Sequence, residues 1–67
     1  MKPATFSPAK LRKLREAAEL SVIQLAEAAG ISRQAVYLFE SGANEPTAST
    51  LYRLADALKV KADAFRG

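Results

Sequence analysis

Three side chains near the middle of the chain can exchange hydrogen bonds with a bound partner. Arg33 carries a planar fork of N–H donors, Gln34 carries a donor beside an acceptor, and Tyr37 carries a hydroxyl. In a helix these side chains point away from Val36 and Phe39, which mark the inner face. This chemistry is suited to recognition, and it requires a helix that holds the three side chains outward.

The segment 22–41 predicts that helix and a second one before it. Gly30 separates the two helices, because glycine adopts the left-handed backbone of a tight turn without a Cβ penalty. Ser32 can cap the second helix by accepting a hydrogen bond from one of its first N–H groups. The small side chain of Ala26 lets the two backbones approach closely. Two short helices joined in this way are typical of proteins that lay the second helix in the major groove of DNA; a plain helical hairpin is the alternative.

The composition limits the class of protein. The 67 residues suffice for one small domain, and their net charge of +3 and pI near 9.6 fit an anionic partner such as nucleic acid without proving one. Cysteine and histidine are both absent, so we expect no disulfide, no metal site and no cofactor. The sequence has no apolar run of membrane-spanning length and no signal peptide around Pro3. We therefore expect a protein of the cytoplasm, in a bacterial or phage-infected cell.

The pattern of apolar and capping residues predicts an all-α fold, a compact bundle of four to five short helices around the central pair. Residues 1–6 are expected to form a flexible N-terminal arm and residues 7–67 the domain. The helices are expected over Pro8 to about Glu19, from Ser21, over Ser32 to about Ser41, from Thr47 to about Leu58, and over Val60 to Phe65.

Capping residues mark the helix starts. Ser7 precedes Pro8, and Ser21 with Gln24 forms a capping box. Phe6 is expected to pack on Leu11 as a hydrophobic staple. The first helix is expected to direct Leu11, Leu14 and Ala18 inward.

One set of residues matches the sequence pattern of a known family. Its members are Leu14, Arg15, Leu20, Ser21, Leu25, Ala26, Gly30, Ile31, Ser32, Arg33, Val36, Phe39, Glu40, Gly42, Pro46, Leu51, Leu54, Ala55, Leu58, Lys59 and Val60. With this set, the chain from about residue 8 to residue 66 resembles the lambda-repressor-like helix-turn-helix family, also called the Cro/repressor or XRE type. The resemblance implies sequence-specific binding of double-stranded operator DNA as a homodimer, and repressor-type regulation of transcription.

The resemblance also implies which residues contact the bases. They lie at the start and middle of the third helix and are Ser32, Arg33, Gln34, Tyr37 and Leu38. Arg33 suits O6 and N7 of guanine, and Gln34 suits N6 and N7 of adenine. Tyr37 can reach a phosphate or lie against a base edge.

Contacts to the DNA backbone are expected at the helix starts and in the loop before the fourth helix, where N–H groups favour anions. The residues concerned are Lys10, Ser21, Gln24, Asn44 and Thr47. In the basic cluster of the first helix, Lys10 is the phosphate candidate, while Arg12 is expected on a solvated face beside Glu16.

Arg15 and Glu40 would each look like surface charge alone. The resemblance implies that they pair across the domain and tie the first helix to the end of the third. Loss of one partner of such a partly buried pair is expected to cost ~3 kcal/mol or more.

The chain departs from the family pattern at several positions. Val22 replaces a glutamine that grips a phosphate, and Leu38 replaces a polar or basic residue. Lys59 replaces the glycine that ends the fourth helix, and Lys61 replaces a cap, so the last helix is expected to fray. Glu45 adds a negative charge in the loop. These changes predict modest affinity per protomer and a strong dependence on dimerisation.

Other functions stay open. An antitoxin or a restriction-modification controller would use the same domain, and exposed apolar residues such as Val22 or Leu38 could bind a protein partner such as a toxin. The dimer interface is expected near the fourth and fifth helices, with Tyr52, Leu38 and Phe65 as candidates.

Catalysis is the least favoured function, because no pair of carboxylates converges in the sequence pattern. A membrane-surface role for the first helix is disfavoured, because its apolar face is narrow and the core needs it.

Overall fold

The computed structural model describes residues 6–66 as a bundle of short helices, which confirms the all-α prediction. The elements are α1 (Pro8–Ala17), α2 (Val22–Ala29), α3 (Arg33–Ser41), α4 (Ala48–Leu58) and a 3₁₀ helix (Ala62–Phe65). No strand forms among these residues; a single antiparallel bridge joins Phe6 to Arg66. Within the same range, no helix has the length and apolar character needed to cross a bilayer.

A side-chain hydroxyl caps the start of each α-helix. The capping hydroxyls accept hydrogen bonds from backbone N–H groups three residues on, at Ser7 (3.3 Å), Ser21 (3.1 Å), Ser32 (3.1 Å) and Thr47 (3.4 Å). The Ser21 cap is a full capping box, because the Ser21 N–H in turn donates to the side-chain oxygen of Gln24 at 2.8 Å. The predicted helix starts are therefore confirmed.

The ends of the four α-helices share a left-handed residue. At Gly30 and Gly42 the φ angles are 72° and 83°, as expected for glycine, but Glu19 and Lys59 adopt φ of 61° and 58° with a Cβ in place. The N–H of the following residue then bonds back to the last turn, as in the 3.1 Å bond from Leu20 to Arg15.

Two details of the prediction for the first helix are wrong. The helix ends at Ala17 and does not continue to Glu19, because the chain turns left-handed at Glu19. Ala18 follows the last helical residue and is exposed, although it was expected to face inward. Leu11 is fully buried and Leu14 is half-buried, as expected.

The core lies between the four α-helices and is closed by the 3₁₀ helix. Its largest fully buried side chains are Phe65, Leu11, Leu25, Leu54 and Val36. α2 packs on α3 and α4, and α1 packs on α3. The buried Ala26, with 3% of its surface exposed, lets α2 approach its neighbours closely.

Phe6 is half-buried and packs against this core, so its predicted inward packing fits better than its place in the predicted flexible arm of residues 1–6. Its ring centroid lies 6.4 Å from that of Phe39 and 6.0 Å from that of Phe65. The next residue, Ser7, donates a 2.6 Å backbone hydrogen bond to the carbonyl of Phe65. Burial of an aromatic ring outweighs the freedom of the chain end here. The rest of the predicted arm, residues 1–5, lies outside the described residues.

The last element also differs from its prediction. It is a 3₁₀ helix that begins at Ala62, two residues later than expected, since Val60 takes part in the turn that ends α4 through a 2.9 Å bond to the Ala55 carbonyl. Its cap position, Lys61, makes no side-chain capping bond. Packing of the buried Phe65 holds this element against α4 and α1.

Candidate nucleic-acid interface

The outer face of α3 presents the three predicted donors together. Arg33, Gln34 and Tyr37 are exposed, whereas Val36 and Phe39 on the opposite face are buried. Within the described part of the chain, no side-chain hydrogen bond engages Arg33 or Gln34, so their donors are available to a partner. The α2–α3 packing behind them fixes the direction in which they point.

Two further predicted contact residues flank these donors. The hydroxyl oxygen of Ser32 already accepts the cap bond from the Ala35 N–H, which leaves its hydrogen to donate outward. Leu38 is half-buried at the side of α3, and its carbonyl accepts hydrogen bonds from Ala43 and Asn44 in the following loop. Ser32 is therefore placed at the base of the recognition face and Leu38 at its edge.

The predicted ion pair between Arg15 and Glu40 is present and two-pronged. Arg15 Nε donates to Glu40 Oε2 at 2.7 Å, and Arg15 Nη2 donates to Oε1 at 3.2 Å. A third bond, 2.8 Å long, runs from Arg15 Nη1 to the Leu20 carbonyl. The two side chains are only 13% and 10% exposed. The hydrogen bond to Glu40 raises the pKa of Arg15 against the opposing effect of burial, so the guanidinium stays charged and locks α1 to the last turn of α3.

The residues predicted to contact the DNA backbone divide into two small groups and one single residue. Ser21 and Gln24 lie together at the start of α2, where their side chains are occupied in part by the capping box. Asn44 is exposed in the loop before α4, and Thr47 caps that helix with a hydroxyl that also contacts the Thr50 hydroxyl at 3.1 Å. Lys10 is exposed on the first turn of α1.

One basic side chain near the turn escaped the sequence analysis. Arg53 on α4 places its Nη1 3.5 Å from the Gly30 carbonyl, beside the α2–α3 turn. No local motif marks Arg53, because its position depends on how α4 packs against α2.

A surface depression of about 300 Å³ lies where α1, α2 and α3 meet. It is lined by Arg12, Arg15, Val22, Tyr37, Glu40 and Ser41. Tyr37 therefore belongs both to the outer face of α3 and to the lining of this depression. Arg12 also contacts Glu16 at 3.4 Å on the solvated face of α1, as predicted.

Comparison with known proteins gives a consistent set of likenesses. A family model described as helix-turn-helix, HTH_3, matches residues 11–65. An uncharacterized HTH-type transcriptional regulator of Mycobacterium tuberculosis is 40% identical over 55 residues, which cover 82% of the chain and 39% of that protein. The chain thus spans about two fifths of the length of the curated relatives it matches.

Solved structures show the same fold. The restriction-modification controller protein C.AhdI from Aeromonas hydrophila is 31% identical, with a TM-score of 0.84 and coverage of 87% of this chain and 88% of that one. The P22 c2 repressor, solved in complex with a synthetic operator, is 24% identical, with a TM-score of 0.82 and coverage of 87% and 88%. At that level of identity the likeness to the P22 repressor establishes the fold alone.

Proposed function

The chain belongs to the helix-turn-helix family, as its resemblance to lambda-repressor-like domains predicted, and we propose that it binds duplex DNA sequence-specifically and regulates transcription as a repressor-type protein. The observation that carries the proposal is the outer face of α3, where exposed donors stand on a helix backed by a packed core. In this proposal α3 enters the major groove. The site of action is the cytoplasm of a bacterial or phage-infected cell, and no catalytic step is assigned.

Arg33 and Gln34 are the proposed base readers. Both occupy the first turn of α3, the part of a recognition helix that reaches base edges. The fork of Arg33 matches the two acceptors of guanine, and the amide of Gln34 matches the donor and acceptor of adenine. Ser32 adds a hydroxyl donor beside them, and the half-buried Leu38 offers an apolar edge to a thymine methyl.

The DNA backbone is proposed to lie along the helix starts that flank α3. The N–H groups at the starts of α2 and α4 favour phosphate, and Ser21, Gln24, Asn44 and Thr47 lie at or near those starts. Lys10 supplies a charge from α1. These contacts would fix the position of the domain without reading sequence.

A second copy of the chain is proposed to bind at the side of α4 that faces the 3₁₀ helix. An apolar depression of about 270 Å³ lies there between the start of α4 and the 3₁₀ helix, with Tyr52 at its rim, 64% exposed. Asp63 and Arg66 line the same depression as an exposed ion pair, 3.6 Å apart, which would form part of the polar rim of such an interface. Phe65 was predicted both as the inward anchor of the last helix and as a candidate for this interface. It is 1% exposed, which confirms the first prediction and removes it from the interface candidates.

The likeness to a restriction-modification controller supports a second candidate role within the same function. In such a role, or as an antitoxin, the domain would also bind a protein partner such as a toxin, through half-buried apolar residues such as Val22 or Leu38.

A salt titration tests the proposal against a purely protein-binding function. Binding of a fluorescent duplex pool is measured by anisotropy between about 50 and 200 mM salt. Contacts to several phosphates predict an affinity that falls steeply, with a log–log slope of about −0.9 per phosphate. A folded domain that binds no duplex at the lowest salt would refute DNA binding and favour the protein-interaction role.

A further inference from the structure

The depression where α1, α2 and α3 meet has lining groups that can bind a ligand separately from the base-reading face. Its floor is the Arg15–Glu40 pair, whose opposite charges satisfy each other at 2.7 Å. Val22 contributes an apolar wall. The Ser41 hydroxyl also lines the depression but already donates to the Leu38 carbonyl at 3.0 Å. The two remaining groups that can recognise a ligand are the Arg12 guanidinium and the Tyr37 phenol, which belong to different helices.

Arg12 is free to change partners. It contacts Glu16 through Nε alone, at 3.4 Å, and the two side chains are 66% and 56% exposed. A monodentate pair this exposed contributes little to stability. An incoming anion can therefore take over the guanidinium without a structural penalty.

Tyr37 sets the position of that anion relative to the base readers. It lies one helical turn after Arg33 on α3 and also lines the depression, so it stands between the recognition face and the depression. A guanidinium and a phenol donor at one concave site suit the tetrahedral oxygens of a phosphate. In a complex with α3 in the major groove, the nearest phosphates are those of the DNA backbone.

We propose that Arg12 and Tyr37 together hold one phosphate of the DNA backbone beside the base-reading surface. The inference rests on the proposed function and deepens it. It gives Arg12 a role in binding and, of the two contacts that the sequence left open for Tyr37, selects the phosphate over the base edge. Glu16 then competes with the phosphate for Arg12 in the unbound protein.

The test compares variants on two duplexes, the preferred sequence and a scrambled one, at several salt concentrations. Arg12→Gln is expected to weaken binding to both duplexes by the same factor, roughly tenfold, and to reduce the salt slope by about 1. Tyr37→Phe is expected to weaken both equally and leave the slope unchanged. Glu16→Gln is expected to strengthen both, by about twofold.

Lys13→Gln is the matched control, because it removes the same charge from an exposed neighbouring position that does not line the depression. The proposal is overturned if Lys13→Gln and Arg12→Gln have the same effect, or if Tyr37→Phe changes the preference between the duplexes. All four positions are exposed, and thermal melts verify that the variants fold. If the wild-type chain binds neither duplex, the proposed function itself fails; if it binds and Arg12→Gln binds equally well, only the phosphate contact fails.

Discussion

At the scale of single residues, the degree of burial distinguishes arginines that stabilise the fold from arginines that are free to bind a partner. Arg15 is nearly enclosed and bonded to Glu40 and Leu20, whereas Arg33 is exposed on α3. The sequence alone could predict that Arg33 is exposed, because it falls at the edge of the inner face marked by Val36 and Phe39, where a long charged side chain extends into solvent. It could not place Arg15 against Glu40 without the family resemblance, because the two residues lie 25 positions apart.

Arg33→Ala should reduce sequence preference more than overall affinity. Loss of a bidentate contact is expected to remove roughly 1–3 kcal/mol of discrimination at one base pair. Arg33→Lys keeps the charge but lacks the fork, so it should lose preference and retain most binding to scrambled DNA. Competition binding with single-base variants of the preferred duplex measures both effects. Equal weakening on every sequence by Arg33→Ala would show that Arg33 contacts phosphate.

Arg15→Ala should destabilise the domain by about 3 kcal/mol or more, because it leaves Glu40 largely buried without its partner. A domain of 67 residues has a free energy of unfolding of only about 3–10 kcal/mol, so this loss is severe. The hydrogen bond to Glu40 raises the pKa of Arg15 above its ordinary value, so Arg15 stays charged and its contribution to stability does not fall as the pH rises through the physiological range.

Urea denaturation measures the Arg15 effect against two comparisons. The apolar double variant Arg15→Met with Glu40→Leu should lose less stability than Arg15→Ala, since no charge is left unpaired. Arg12→Ala, which breaks an exposed pair, should change stability by about 0.5 kcal/mol or less. If Arg15→Ala proved as mild as Arg12→Ala, the pair would not anchor α1 to α3.

At the scale of the elements, helix starts were easier to predict than helix ends. Ser7, Ser21, Ser32 and Thr47 each offer a hydroxyl at the right place, and each caps a helix. Gly30 ends α2 in the expected left-handed conformation. Glu19 adopts the same conformation without any local signal, because the packing of Leu20 and its bond to Arg15 impose the turn.

Lys59→Gly should stabilise the domain by roughly 0.5–1 kcal/mol, because glycine removes the Cβ strain at φ of 58°. Gly42→Ala is the reverse control and should destabilise by about 1–2 kcal/mol, because φ there is 83°. A new Cβ would meet Pro8 at an ordinary contact distance of 3.7 Å, so backbone strain alone causes the loss. Thermal unfolding of both variants gives the comparison. A destabilised Lys59→Gly would mean that the lysine side chain itself supports the turn.

Ala26→Phe should cost roughly 3 kcal/mol or more, since the side chain is 3% exposed in a close helix contact that cannot accept a ring. Ala28→Phe on the exposed side of the same helix serves as the control and should be nearly neutral. Circular dichroism during urea unfolding reports both. A stable, fully folded Ala26→Phe variant would show that small size at this position is not what allows α2 and α3 to pack.

At the scale of the whole molecule, the all-α architecture and the central pair of helices could be predicted from periodicity and turn residues. Closure of the core was predictable only in part, because the inward position of Phe65 could be predicted but its contact with Phe6 could not. Phe6 meets Phe39 and Phe65, and its backbone bridges to Arg66, through contacts between distant parts of the chain. No periodic pattern encodes such contacts. These contacts complete the core that holds α3 with its outer face exposed.

Selection of bound duplexes from a random pool tests most directly whether α3 reads DNA. The account predicts a palindromic consensus with half-sites about one DNA turn apart, roughly 34 Å, and loss of one conserved base pair when the selection is repeated with Arg33→Ala. A pool that stays random after repeated rounds at low salt, from a domain that remains folded, would contradict the account.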